Sequence, residues 1–248
     1  MELMIPDYVE RRLRQLPSDS SGVVPGSTPV VAFGNPVGAR VATLGLNPSR
    51  QEFLDTSGKE LDSRRRRFET LASLGVPSLA SASDEVIGSV LSACNEYFRR
   101  NPYRAWFDQL GEILRAMGAS YYDGSACHLD LVQWATDPTW NGLSSVVRRR
   151  LLGEDSRFFL EQLRREKIEL LLLNGSGVIR GVQRSLGRSL SEKSVPITVR
   201  TVTARFVTGH IEGVQVVGWS TNIQSSFGVT KELRGRIAER VSELASAL

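Results

Sequence analysis

The sequence predicts an α/β protein: a three-layer α/β/α sandwich with a mainly parallel central sheet. Three observations carry this. Short, largely apolar runs recur at Val41–Leu46, Ala126–Val132 and Ile168–Leu173, as strands buried on both faces require. Helix-length segments separate them, the alternation that builds a parallel sheet. Each run gives way to a loop rich in amides, hydroxyls or glycine, the place where open α/β sheets bind ligands.

The elements follow in order. A short N-terminal helix precedes a Pro/Gly/Ser-rich connector, "PSDSSGVVPGST" at 17–28. The reading is therefore a helix and linker over 1–28 and a single α/β/α domain over 29–248. Val41–Leu46 is the first strand. Leu61–Leu74 and Asp84–Arg99 read as helices, the second with Ser83 as N-cap and Asp84 and Glu85 in its first turn. Arg104–Met117 is a helix closed by Gly118. Ala126–Val132 is the second strand, and 143–152 and 156–166 read as two helices. Ile168–Leu173 is the third strand, with a helix over Val178–Leu186 after it. Residues 196–207 and 213–219 read as strands paired around "TGHIEG", with His210 in the turn. A last helix starts near Thr230 and lines up Leu233, Ile237, Val241 and Leu244 on one face.

Composition narrows the classes. Of 248 residues, 41% are hydrophobic, enough for a substantial core. The longest strongly apolar run, around "IELLLLN", is too short to span a bilayer. The N-terminus has no secretory pattern, so the expectation is a cytoplasmic protein without a membrane partner. Two cysteines, Cys94 and Cys127, rule out a four-thiolate metal or iron–sulfur site. Two histidines are too few for a histidine-rich one, and no cofactor is expected. A net charge of +4 fits a polyanionic partner.

Four loops stand out: "NPSRQEF" (47–53), "QWATDPTW" (133–140), "NGSG" (174–177) and "WSTNIQSSFG" (219–228). The first follows strand one as Gly45-Leu46-Asn47-Pro48-Ser49. The second follows "CHLD", which ends in Asp130. The third follows "LLLLN" and leads into a helix. The fourth joins the last strand to the last helix.

Over residues 38 to 245 this order resembles the uracil-DNA glycosylase superfamily. Gly45-Leu46-Asn47-Pro48 is similar to the family's first motif, Gly-x-Asp/Asn-Pro. Asp130 stands where the family has a base-reading residue, often Asn. "WSTNIQSSFG" stands where the family has His-Pro-Ser or a variant, but without the histidine. The resemblance implies a monofunctional DNA glycosylase that needs no cofactor. It flips a nucleotide out of double- or single-stranded DNA and hydrolyses its N-glycosidic bond. A monomer associated with a prokaryotic nucleoid is the expected form.

The resemblance also assigns roles. Asn47 orients the attacking water, or else merely shapes an Asn-Pro turn. Asn222 or Gln224 replaces the missing histidine at the leaving group. Ser49 stands where uracil-specific members carry a bulky tyrosine, and leaves room at C5 of a pyrimidine. Ionised Asp130 accepts from the exocyclic amine of cytosine; protonated, it imitates an amide; a turn cap or an arginine pair are the plain alternatives. Phe53 is the first choice to stack on the base, with a core phenylalanine at a helix start as the plain alternative, and Trp134 and Trp140 to line the pocket or a DNA groove, with core packing the alternative for at least one of them. Asn174 and Ser220 complete the substrate-binding set. Ser225 and Ser226 suit a phosphate of the target strand, Ile223 or Phe227 suit the wedge, and Arg64 and Arg67 suit the DNA backbone. Arg148–Arg150 reads as a solvated face.

Ser49 and Asp130 together point to a C5-substituted cytosine, hydroxymethylated or glucosylated, as in phage DNA, and so to antiviral defence. The alternatives are a uracil or thymine-mismatch glycosylase of base-excision repair, an inactive nucleic-acid-binding protein of the same fold, and an N-glycosidase acting on free nucleotides.

Overall fold

The computed structural model describes residues 5–192, 195–224 and 228–247. Its helices are α1 (Asp7–Arg14), α2 (Leu71–Leu74), α3 (Asp84–Asn95), α4 (Arg104–Phe107), α5 (Gly111–Ala116), α6 (Ser145–Arg165), α7 (Ser176–Leu186) and α8 (Lys231–Ser246). Its strands are β1 (Val41–Gly45), β2 (Ala126–Asp130), β3 (Leu170–Asn174), β4 (Ser191–Glu192), β5 (Ile197–Val199), β6 (Val202–Ala204), β7 (Phe206–Ile211) and β8 (Val214–Trp219).

A six-stranded mixed sheet runs in the order β2-β1-β3-β8-β7-β4. β2, β1, β3 and β8 are parallel; β7 and β4 are antiparallel additions at one edge. Alternate residues of one strand face opposite layers. Leu170 and Leu172 of β3 join a core built with residues of α1, α3, α5 and α8. Leu171 and Leu173 join a second core with Phe159 and Leu163 of α6 and Val178, Ile179 and Val182 of α7. Helices therefore cover both faces, an arrangement compatible with three layers. Cys94 and Cys127 are buried free thiols. No helix among the described residues is long and apolar enough to cross a membrane.

The N-terminal segment is built into the same body. Tyr8, Val9 and Leu13 lie in the first core. Arg12 is buried against Asp155 of α6 at 2.9 Å and donates to Gln133. The stretch after it runs antiparallel along β2: Val24 and Val30 donate to the carbonyls of Ala135 and Gln133, and Phe33 and His128 exchange both backbone bonds. It thereby covers the edge of β2 that the sheet leaves open.

Several expected elements differ. Leu61–Leu74 is helical only from Leu71, because Thr70 and Ser73 form a capping box there, while Asp62 Oδ1 accepts from the amides of Arg64 and Arg65 and holds a turn instead. Residues 143–152 and 156–166 belong to one helix; Gly153 does not interrupt it, and Asp155 is fixed inside by Arg12. Arg104–Met117 is broken by a 3₁₀ turn at Asp108–Leu110. The 196–207 strand divides at Arg200: β5 and β6 form their own hairpin. His210 lies within β7, opposite Gln215, and the turn is Glu212-Gly213, both with positive φ.

Candidate active site

The four parallel strands end side by side. Gly45 lies opposite Asp130, and Asn174 lies opposite Trp219. Beyond these ends is a cavity of ≈ 250 Å³. Its floor is buried: His128, Asp130 and Asn174 are each less than a tenth exposed. Its mouth is formed by Ser49, Arg50, Trp106, Thr139, Trp140 and Asn141. Asn47, Asn222 and Gln224 complete the wall.

Asn47 is held by its nitrogen. Nδ2 donates to the carbonyls of Pro48 (2.8 Å) and Trp134 (3.3 Å) and to Thr136 Oγ1 (3.1 Å). Carbonyls only accept, so the amide has one possible orientation. Oδ1 receives no hydrogen bond among the described residues, and Asn47 lines the cavity. The side chain shapes its turn and also presents an acceptor for a water.

Asp130 is fully enclosed. Neither carboxyl oxygen has a hydrogen-bond partner among the described residues. Burial pushes its pKa above the ordinary carboxylate range, against the opposing pull of His128. His128 Nε2 lies 3.6 Å from Oδ1, beyond hydrogen-bond range. A neutral carboxyl offers one donor and one acceptor, as an amide does. Neither plain alternative for Asp130 holds: it caps no turn and pairs with no arginine among the described residues.

Asn174 is saturated. Nδ2 donates to Asn222 Oδ1 (3.0 Å) and Gln224 Oε1 (2.8 Å), and Oδ1 accepts from Trp219 Nε1 (2.9 Å) and the Ile223 amide (3.1 Å). With both donors and both lone pairs engaged it cannot also read a base, which corrects its assignment to substrate. Gln224 is a strut as well, since its Nε2 donates to the Trp106 carbonyl. Asn222 Oδ1 accepts from Asn174 and from the Gln224 amide.

The remaining assignments sort by burial. Ser49 is exposed at the mouth, and its Oγ accepts from the Gln51 amide, so it both starts a 3₁₀ turn and lines the cavity. Phe53 is not a stacking residue: it is buried against Phe68, ring centroids 5.7 Å apart. Trp134 is likewise core, under the Arg12 guanidinium. Trp140, together with Trp106, takes the position at the cavity. Ser220 lies in the adjoining depression, its Oγ accepting from the Arg205 amide. Ile223 is buried and is no wedge. Ser225, Ser226 and Phe227 lie outside the described residues.

Arg67 is structural rather than free for DNA. It lies 3.8 Å from buried Glu52, donates to the Gln51 carbonyl and stacks over Tyr103. Arg64 is exposed on its turn. Arg150 fastens the connector through Asp19 and the Ser21 carbonyl.

Sequence reasoning missed His128, Trp106 and Arg50. A signal existed for His128: it lies two residues before Asp130 on one strand and shares its face. Trp106 carried none, since α4 reaches the cavity only through the tertiary fold. Arg50 at the mouth is paired with Asp137 at 2.7 Å. Among the described residues no cluster of His, Cys, Asp and Glu fits a metal ion. No protein-family model matches the chain, and no curated protein matches it.

Proposed function

We propose that the protein is a monofunctional DNA glycosylase of the uracil-DNA glycosylase type, acting on a modified pyrimidine, with a C5-substituted cytosine of phage DNA as the leading substrate. One observation carries the reading. Asn47, fixed with its oxygen free, and Asp130, buried with both oxygens unpartnered among the described residues, border one cavity beyond the parallel strand ends. A buried, unpartnered carboxyl is costly unless a ligand completes it.

The chemistry rests on these groups. A flipped base enters past Trp106 and Trp140, whose rings offer stacking surfaces at the mouth. Asp130 meets its hydrogen-bonding edge, and Ser49 leaves the space for a C5 substituent. Asn47 Oδ1 accepts from a water and orients it toward the anomeric carbon. An amide is a weak base, so the step depends on stabilising charge on the sugar and on the departing base.

A second reading, excision of uracil or mismatched thymine, is favoured by the raised pKa of Asp130. A neutral carboxyl pairs with N3–H and O4 of uracil as well as with N3 and the amine of cytosine. The deciding experiment is alkaline cleavage of labelled DNA carrying uracil, a thymine mismatch, cytosine, hydroxymethylcytosine or glucosylated hydroxymethylcytosine, with Asn47→Ala as control. Cleavage confined to a modified cytosine supports the first reading and cleavage of uracil the second. No cleavage of any, with DNA binding intact, leaves an inactive binder.

A further inference from the structure

The loop that carries a histidine in the resembling family has none here, and the amides that stand in it are mostly engaged. Asn174 makes four hydrogen bonds, and Gln224 braces Asn174 and Trp106. The departing base needs a donor, and the floor of the cavity holds one that the sequence motifs do not mark.

We propose that His128 hydrogen-bonds the departing base through Nε2–H, aligned for this by a one-way chain of donors running from Tyr121 through Thr43. This rests on the glycosylase reading above. His128 lines the cavity, and its ring is held between Phe33 and Phe107 at centroid distances of 5.2 and 5.3 Å. Its Nδ1 lies 2.7 Å from Thr43 Oγ1, which lies 2.6 Å from the Tyr121 hydroxyl. All three side chains are buried.

Proton counting sets the direction. Tyr121 has one hydroxyl proton, and Thr43 is its partner among the described residues. Were Thr43 to donate to Tyr121, the phenolic proton would be buried without an acceptor, which is unfavourable. Tyr121 therefore donates to Thr43, and Thr43 donates to Nδ1. The neutral imidazole then carries its proton on Nε2, the atom nearest Asp130. Nε2 and Oδ1 lie 3.6 Å apart, beyond hydrogen-bond range, and Oδ1 has no partner among the described residues; a base oxygen completes Nε2–H, and an N–H of the base completes Oδ1.

The step balances without net loss at the imidazole. The N-glycosidic bond breaks and both its electrons go to the base. The Nε2–H hydrogen bond stabilises the charge that develops there. Water adds its oxygen to the anomeric carbon, and its proton ends on the base nitrogen. His128 touches the base and is catalytic in this sense; Thr43 and Tyr121 are positioning residues.

The chain has only two histidines, so nitrogen-15 imidazole spectra read the tautomer directly, with His210→Gln to assign the signals. The expected result is a protonated Nε2 and a bare Nδ1 for His128, kept in Thr43→Ser and lost in Thr43→Val. A proton on Nδ1 in the wild type overturns the chain. Single-turnover cleavage of the best oligonucleotide of the panel completes the test. His128→Ala should slow it by about 10²-fold while DNA affinity stays unchanged. Thr43→Val, with its near-isosteric side chain, should slow it by about tenfold and Thr43→Ser restore it. An unchanged rate in a folded His128→Ala protein, or equal losses of rate and affinity, overturns the role of His128 and leaves the glycosylase reading standing. If His128→Ala does not fold, the Thr43 pair decides. A wild type that cleaves no oligonucleotide removes both readings.

Discussion

His128 Nε2 and Asp130 Oδ1 sit 3.6 Å apart over the α-carbon of Gly45. A β-carbon on Gly45 would lie 2.9 Å from Nε2 and well inside contact with Oδ1. The glycine of the first motif is therefore required by its neighbours on β2, not by its own dihedral angles. Gly45→Ala should push Asp130 and His128 aside and lower the cleavage rate by about 10²-fold. Cleavage kinetics and a melting curve check this; a folded variant with full activity would contradict it.

Asn47→Ala should abolish cleavage. Asn47→Asp should not rescue it, although an aspartate is a stronger base. The position of Nδ2 faces two carbonyls and a hydroxyl, and a carboxylate oxygen placed there meets the two carbonyls acceptor to acceptor. The expected outcome is a loss of about 1–3 kcal/mol in stability, seen by denaturant unfolding, and a rate no better than that of Asn47→Ala.

Burial raises the Glu52 carboxyl from 4.5 to about 7, with Asp130 adding to the rise and Arg67 and Tyr97 opposing it. The folded protein thus keeps a proton that the unfolded chain releases. The stability from this group is complete below 4.5 and is lost as pH climbs toward 7. Its size is of the order of 3 kcal/mol. Glu52→Gln should flatten that part of the stability–pH curve; Asp130 and Asp155, raised in the same direction, keep their own contributions. Unfolding at several pH values across this window tests it.

Arg64 and Arg67, the first and last of the four arginines at 64–67, should behave differently. Arg64→Ala should weaken DNA binding and reduce its salt slope by about 1, with stability unchanged. Arg67→Ala strips the partner from buried Glu52 and should lower stability instead. Salt titrations of binding, paired with melting curves, separate the two.

Arg12→Ala removes the cation paired with buried Asp155, which keeps the Gln133 amide as its donor, and should cost about 3–5 kcal/mol. Gln133 donates to the Asp130 carbonyl and accepts from Arg12, so the helix at the N-terminus reaches the cavity floor. Chemical denaturation of the variant tests the cost.

The framework was legible in the sequence. β1, β2 and β3 showed as short buried runs because both faces of each strand are covered. Asn47 and Asp130 were visible because the end of a parallel strand places its last residue and the adjoining loop at the ligand side of the sheet. The misreadings have a common physical source. Phe53, Trp134 and Ile223 come after strands, as cavity residues do, yet turn into the core. Nothing local distinguishes a wall from a floor. Asn174 looked like a reader of bases because its four partners lie about 45 to 50 residues away. The helix expected at Leu61–Leu74 failed because Asp62 and Thr70 offer its amides other acceptors.

The saturated Asn174 also bears on timing. It ties the end of β3 to Trp219, Asn222, Ile223 and Gln224 at once. That wall of the cavity is assembled without a ligand. The amide protons of Ile223 and Gln224, both donating to side-chain oxygens, should exchange slowly with solvent in the free protein and change little on binding DNA. On the glycosylase reading proposed above, turnover would then be paced by the nucleotide leaving its helix rather than by a loop closing over it.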